Sequence, residues 1–273
     1  MSRGFSKIII HQTKHLLHAV LDIATEMMVV KYDGRLTDKQ MQKWEKYGLI
    51  SFDVFDTLLL RPFSKPTDLF RILERKNGIK GFHGKRIKAE EHARQKLGRE
   101  INLQEIYEEL VRDFSGTREG RKFLNGIRGK TEEADHLTEK DKDEIIRRLM
   151  EMEYDEEMRQ CYANTDLKKL YRYFKKKGIR MIAVSDMYLN EQQIGKLLKE
   201  NGFGSIKKVY VSCDSGVGKH RGRLLKIVKE LEKNRAKQGQ RPIRTMHIGD
   251  NLHADIEGGL MGGWDVLWYR RMR

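Results

Sequence analysis

What most constrains this chain is a rhythm of short apolar runs. They fall at 49–52, 179–184, 206–211, 243–248 and 265–269, each long enough for a strand and too short for a buried helix. Helical repeats separate the last four. Leu167, Leu170, Tyr171 and Phe174 recur at helical spacing, as do the apolar positions of Gln192 to Asn201 and Leu224 to Leu231. Gly178 and Gly202 stand where helix C-caps belong. Strands that alternate with helices build a parallel sheet covered on both faces.

The expected fold class is therefore α/β, a Rossmann-like parallel sheet core. Residues 62–165 interrupt it after the first strand. They are rich in Glu, Lys and Arg and carry helical patterns such as Ile106, Leu110 and Ile145, Met152, which predicts an inserted helical cap. The core is then 48–61 and 166–273. Ahead of it, Leu16, Val20, Ile23, Met27 and Val30 recur at spacings of three and four, with His15, His18, Asp22 and Glu26 largely between them. Residues 1–47 accordingly read as an N-terminal helical extension. Its apolar face docks on its own domain or serves a protein partner or self-association.

Composition narrows the function classes. The chain has 273 residues, enough for a sizeable core, and 35% of them are charged. Recurrent apolar runs exclude intrinsic disorder. The net charge of +15 is concentrated in 166–273, where Lys and Arg exceed Asp and Glu by 13. Such a field favours anionic ligands, whether phosphorylated metabolites, nucleic acid or anionic lipid. Solvated Lys-rich helix faces would give the same excess. Cys161 and Cys213 are too few for a disulfide framework or a four-cysteine zinc site, so a reducing compartment is expected. No run approaches the ~18 apolar residues of a membrane span, and the Ile run after Met1 to Gly4 is too short for a secretory signal. The expected localisation is cytoplasmic.

In open parallel sheets the ligand site lies beyond the carboxyl ends of the strands. The polar residues there are Asp53 and Thr57 after the first strand, Ser185 and Asp186 after the second, Lys219 after the third, and Asp250 and Asp255 after the fourth. They lie in four strings: Phe52-Asp53-Val54-Phe55-Asp56-Thr57-Leu58, Ile182-Ala183-Val184-Ser185, Gly218-Lys219-His220-Arg221-Gly222 and Gly249-Asp250-Asn251-Leu252-His253-Ala254-Asp255. In this order the strings resemble the four motifs of the haloacid dehalogenase superfamily, over about residues 48–269. The insertion is similar to the family's helical type-one cap. The Ser51-to-Pro62 and Val184-to-Leu189 strings look like a bacterial subgroup often found in polysaccharide or glycosyltransferase contexts.

The resemblance implies a phosphohydrolase in which Asp53 attacks phosphorus and forms an aspartyl-phosphate, provided a cation offsets the repulsion between two anions. Mg²⁺ would be held by Asp53, the Phe55 backbone carbonyl and Asp250, with Asp255 orienting a metal-bound water. Lys219 would neutralise the phosphoryl oxygens and keep Asp53 ionised, and the Ser185 and Thr57 hydroxyls would bind the transferring group and the nucleophile. The cap implies a small phosphorylated substrate. One departure stands out. The family's phosphatases usually carry a second Asp two residues after the nucleophile as general acid/base, and here that position is Phe55, with Asp56 one residue further on.

Three other readings stay open. An aromatic after the nucleophile also occurs in the metal-free dehalogenase branch, although a halide-displacing site gains nothing from a pair of cation-binding carboxylates. A degenerate phosphate binder would use the same pocket without hydrolysis. A nucleic-acid binding module would use Lys168 to Lys177 and Arg221 to Lys237 with Tyr171, Tyr173 and Phe174, but those aromatics are expected in the core and no nucleic-acid motif accompanies them. Each residue also has a bland alternative. Asp53 and Ser185 would cap turns, Lys219 would be one surface cation among Arg221, Arg223 and Lys226, and Asp255 would favour a helix N-terminus. His247 and His253 would be buried or capping rather than a second metal site. Arg61 would reach substrate phosphate or form a cap-hinge ion pair.

Overall fold

The structure, a computed structural model, describes residues 37–129, 137–235 and 244–270 and the backbone of 29–32. Its elements in chain order are β1 (Val29–Tyr32), α1 (Asp38–Met41), β2 (Leu49–Phe52), β3 (Leu59–Leu60), α2 (Asp68–Asn77), α3 (Phe82–Leu97), α4 (Leu103–Ser115), α5 (Arg118–Ile127), α6 (Glu139–Gln160), β4 (Tyr162–Ala163), α7 (Thr165–Lys176), β5 (Arg180–Ser185), α8 (Glu191–Glu200), β6 (Val209–Val211), α9 (Ser212–Ser215), α10 (Arg223–Arg235), β7 (Thr245–Gly249), α11 (Gly258–Met261) and β8 (Asp265–Tyr269). Six strands form one parallel sheet in the order β1-β8-β7-β2-β5-β6.

The sheet is buried on both faces, and the period-2 alternation of its strands separates the two cores. Ile50 and Phe52 of β2 and Met181 and Ala183 of β5 join the larger apolar cluster, with Leu167, Leu170, Tyr171 and Phe174 of α7. Leu49, Ile182 and Val184 face the other way, onto Leu224, Leu225 and Val228 of α10 and Trp264. Tyr171 and Phe174 thus build the core, as their spacing predicts. The cap glycines also behave as expected: Gly178 (φ 68°) and Gly202 (φ 85°) take the left-handed conformation that ends α7 and α8.

Register decides where the chemistry goes. Phe52 lies opposite Ala183 of β5 on one side and Ile248 of β7 on the other. The carboxyl ends of β2, β5 and β7 therefore open at one edge. Two expectations are corrected. The run at 206–211 becomes a strand only from Val209: the Ile206 amide closes a turn on the Phe203 carbonyl, and the chain first meets β5 through the Lys207 amide on the Met181 carbonyl. Val30, expected to close the N-terminal helix, stands in β1 opposite Leu267 of β8. Ladder bonds to the sheet edge outweigh local helical spacing there. The rest of that helix lies outside the described residues, as does any self-association through it.

Between β3 and β4 the described residues form five helices, α2 to α6. The two strands pair antiparallel, Leu59 opposite Ala163 and Leu60 opposite Tyr162, so the insert leaves and returns through one short ribbon. Reciprocal capping boxes start α4 (Asn102 with Glu105) and α6 (Thr138 with Asp141). The charge-rich composition of the insert hides a buried ionic core. Arg86, fully buried, donates to Glu153 from Nε at 2.8 Å and Nη2 at 2.9 Å and to Glu90 from Nη1 at 2.8 Å. Tyr107 also donates to Glu153, and the guanidinium lies over the Phe70 and Tyr188 rings.

Removing one member of this network strands a buried charge. We expect Glu153→Ala to lower unfolding free energy by about 3–5 kcal/mol in urea titration, whereas the paired Arg86→Met, Glu153→Leu change should lose far less. A single-variant loss under about 1 kcal/mol would contradict this role.

Candidate active site

Asp53 follows β2 directly, and its amide donates to the Ile248 carbonyl at 2.8 Å, which ties the strand end to β7. The chain then turns tightly. The Asp56 amide donates to Leu59 and the Leu59 amide to Val54, both at 2.8 Å, and Asp56 takes a left-handed φ of 59°, a conformation Asp tolerates better than most residues. The turn brings Thr57 back, fully buried, with its hydroxyl donating to Asp250 Oδ1 at 3.3 Å. Thr57 therefore meets Asp250 rather than Asp53, the neighbour expected for it.

Lys219 comes from the loop that follows β6 and α9. Its amide donates to both carboxylate oxygens of Asp186, at 2.9 and 3.1 Å, which fixes the loop before the side chain extends inward. Its ammonium sits 2.5 Å from Asp53 Oδ1 and also donates to Asp255 Oδ1. Lys219 is 3% exposed while Arg221, Arg223 and Lys226 are solvent-exposed, so it is not one surface cation among several.

Asp255 lies in the short π-helix Leu252–Glu257. Its Oδ2 accepts the Asn251 amide at 3.0 Å, and its Oδ1 lies 3.1 Å from His247 Nε2. His247 Nδ1 lies 2.9 Å from Ser51 Oγ. A Cβ on Gly249 would fall 2.3 Å from Asp255 Cγ, so only glycine lets this carboxylate lie against β7. Ser51, His247 and Asp186 are supporting residues whose roles the sequence reading did not assign. The signal was a lone polar residue inside two apolar strands, and Ser51 and His247 face each other in register.

The charges here do not balance. One oxygen each of Asp53, Asp250 and Asp255 lies within 4.8 Å of the others, with one ammonium among them. Burial and the Asp255 charge push the Asp53 carboxyl well above the usual carboxylate range, although Lys219 opposes them. Burial, Asp255 and Asp56 raise Asp250 to about 6. Asp255 goes the other way: burial disfavours its charge, but Lys219 and His247 hold it well below the usual range. Burial disfavours the Lys219 ammonium too, yet Asp255, Asp53 and Asp186 hold its pKa well above the ordinary lysine value. Burial lowers His247, which stays neutral at pH 7. A cluster of oxygen donors short of positive charge fits a hard divalent cation.

The remaining expected residues sort as follows. Ser185 ends β5, buried at the same edge. The Phe55 ring lies 4.1 Å beneath the Arg61 guanidinium, whose Nε is 2.6 Å from Glu157 at the end of α6. Arg61 thus forms the hinge ion pair. His253 is exposed and pairs with Glu257 at 2.9 Å.

Residues 47–263 match the family model for haloacid dehalogenase-like hydrolases. Among curated protein sequences none matches. Among solved structures the chain is similar to YfnB of Bacillus subtilis, named as a HAD-hydrolase and bound to magnesium (19% identity, 82% of this chain and 94% of that one, TM-score 0.45). It is also similar to a predicted phosphoglycolate phosphatase of Haemophilus somnus (13%, 83% and 89%, 0.43). A third is the L-2-haloacid dehalogenase of Xanthobacter autotrophicus (16%, 83% and 79%, 0.47). No helix among the described residues is long and apolar enough to cross a membrane.

The raised Asp250 pKa has a consequence for stability. A carboxyl of this kind favours the folded state while protonated, and that contribution is lost as pH rises from 3.8 through about 6. In chelator, Asp250→Asn should gain on the wild type over this interval, reach an advantage of about 3 kcal/mol, and hold it at higher pH. Urea titrations across pH read the difference. A pH-independent offset would contradict it.

Proposed function

This chain belongs to the haloacid dehalogenase-like hydrolases, and from that premise we propose that it is a Mg²⁺-dependent phosphohydrolase acting on a small phosphorylated substrate through an aspartyl-phosphate on Asp53. The observation that carries this reading is the three-carboxylate cluster around Lys219. Asp53, Asp250 and the Phe55 carbonyl would hold the cation, with Asp255 beside them. Mg²⁺ supplies charge neutralisation for the incoming phosphoryl group and keeps Asp53 ionised.

The chain's own residues do the rest. Asp53 forms a bond to phosphorus as the bond to the leaving oxygen breaks with its electron pair. Water then attacks the same phosphorus, releasing phosphate and returning the carboxylate. Lys219 stabilises the charge on the phosphoryl oxygens, and the Ser185 hydroxyl binds the transferring group. Thr57 orients Asp250. His247 and Asn251 orient Asp255. Hinge residues Arg61 and Glu157 join the core to a helical cap at 62–165 that excludes water from the reaction.

A phosphate-release assay over a panel of phosphorylated compounds tests this. Turnover should require Mg²⁺, and Asp53→Asn should reduce it to background. Activity that survives chelation would overturn the reading in favour of metal-free displacement.

Phe55 makes a finer prediction. With no carboxyl at the acid/base position, acyl and aryl phosphates should be turned over faster than alkyl phosphates. Phe55→Asp should raise alkyl phosphate turnover selectively, within the roughly 10²–10⁴-fold range of general acid catalysis, with circular dichroism to confirm folding. Equal rates on both classes in the wild type would assign proton donation elsewhere. Asp56, which lines the same cleft as Asp250, would then be the residue to replace by Asn.

A further inference from the structure

Beside Asp250 opens a cleft of about 680 Å³, within the usual range for small-molecule sites. Asp56 and Asp250 stand in its lining with four aromatic residues, the buried Tyr269 and three less buried rings, Phe63, Tyr162 and Trp268. The three rings come from different segments: Phe63 follows β3, Tyr162 opens β4, and Trp268 lies near the carboxyl end of β8. Tyr162 is 45% exposed, a large ring left to solvent at a site where the chain could have placed a polar side chain. Trp268 is anchored. Its Nε1 donates to the Asp250 backbone carbonyl at 3.0 Å, which fixes the indole beside a carboxylate of the cluster. The guanidinium of Arg270 lies over the indole ring at 5.3 Å, so a planar group stacking on Trp268 would take the place of this cation.

Phe55 supplies the second observation. An alkyl leaving group needs a proton, and the position that would give it is an aromatic ring packed against Arg61. A phenol, with a pKa of about 10, departs as its anion far more readily. From the aromatic-lined cleft and Phe55 together we infer that the leaving group is itself a flat ring, and that the substrate class is an aryl phosphate monoester. This inference rests on the phosphohydrolase reading. In the step it describes, an Asp53 oxygen bonds to phosphorus as the bond from phosphorus to the aryl oxygen breaks. The phenolate keeps the electron pair, stacks in the cleft and takes its proton from solvent. Water then cleaves the aspartyl-phosphate at phosphorus.

Three substrates separate the claims, each assayed with Mg²⁺ on the full chain. Phenyl phosphate has the ring and the good leaving group, acetyl phosphate has a good leaving group without a ring, and thymidine 5′-monophosphate has a ring on an alkyl leaving group. Phenyl phosphate should show the highest kcat/KM. Tyr162→Ala and Trp268→Phe should each lower the ratio of kcat/KM for phenyl over acetyl phosphate, by roughly three- to tenfold for Tyr162→Ala, chiefly through KM. A preference for either other substrate, or a ratio unchanged in both variants, would overturn the inference. If none of the three is hydrolysed, the phosphohydrolase reading fails. Tryptophan fluorescence then decides the ring site: quenching by phenyl phosphate that weakens in Tyr162→Ala supports it, and absence of quenching overturns it.

Discussion

The Lys219 ammonium, shared between Asp53 and Asp255, is the interaction on which the rest of the site depends. Three buried carboxylates at one sheet edge are unstable without compensation, because burial and mutual repulsion both disfavour their charges. Lys219 compensates for about one of them. Asp255, with His247 and the Asn251 amide added, takes that share and is firmly ionised. Asp53 and Asp250 are left undercompensated, and their raised pKa values record it. The same imbalance that weakens the metal-free protein would favour a divalent cation under the proposed function. Stability and function are coupled through one charge deficit.

The parallel sheet makes this arrangement possible. Asp53 shares a site with Asp250 and Asp255, about two hundred residues further along the chain, because β2 and β7 are paired in register and end at the same edge. Close backbone contact then does the fine placement. Gly249 lets the Asp255 carboxylate lie against β7, and the left-handed Asp56 turns Thr57 towards Asp250. The insert is held to this edge by the β3–β4 ribbon and the Arg61–Glu157 pair, and Arg61 in turn covers the Phe55 ring. Phe55 is thus packed against the ion pair that joins the insert to the sheet.

Strands β2, β5, β6, β7 and β8 were legible because each falls in a short, largely apolar run, the signature of a sheet buried on both faces, and the strand-end polar residues followed from that. Val30 was misread because its partner, Leu267, lies at the other end of the chain, and nothing local signals such pairing. Thr57 was given the wrong neighbour because the path of the turn after Asp53 depends on the left-handed Asp56. The Ser51–His247–Asp255 chain needs cross-strand register to be seen. Arg86 and Glu153 sit in helices whose composition reads as solvated, and only tertiary packing shows that they are buried.

The account's central claim is that Asp53 becomes phosphorylated. The most direct measurement is rapid acid quench of the protein during turnover, followed by peptide mass spectrometry. The account predicts a phosphoryl adduct on the peptide containing Asp53, formed with Mg²⁺ and absent with chelator. Phosphate release with no adduct, or an adduct on any other residue, would contradict it.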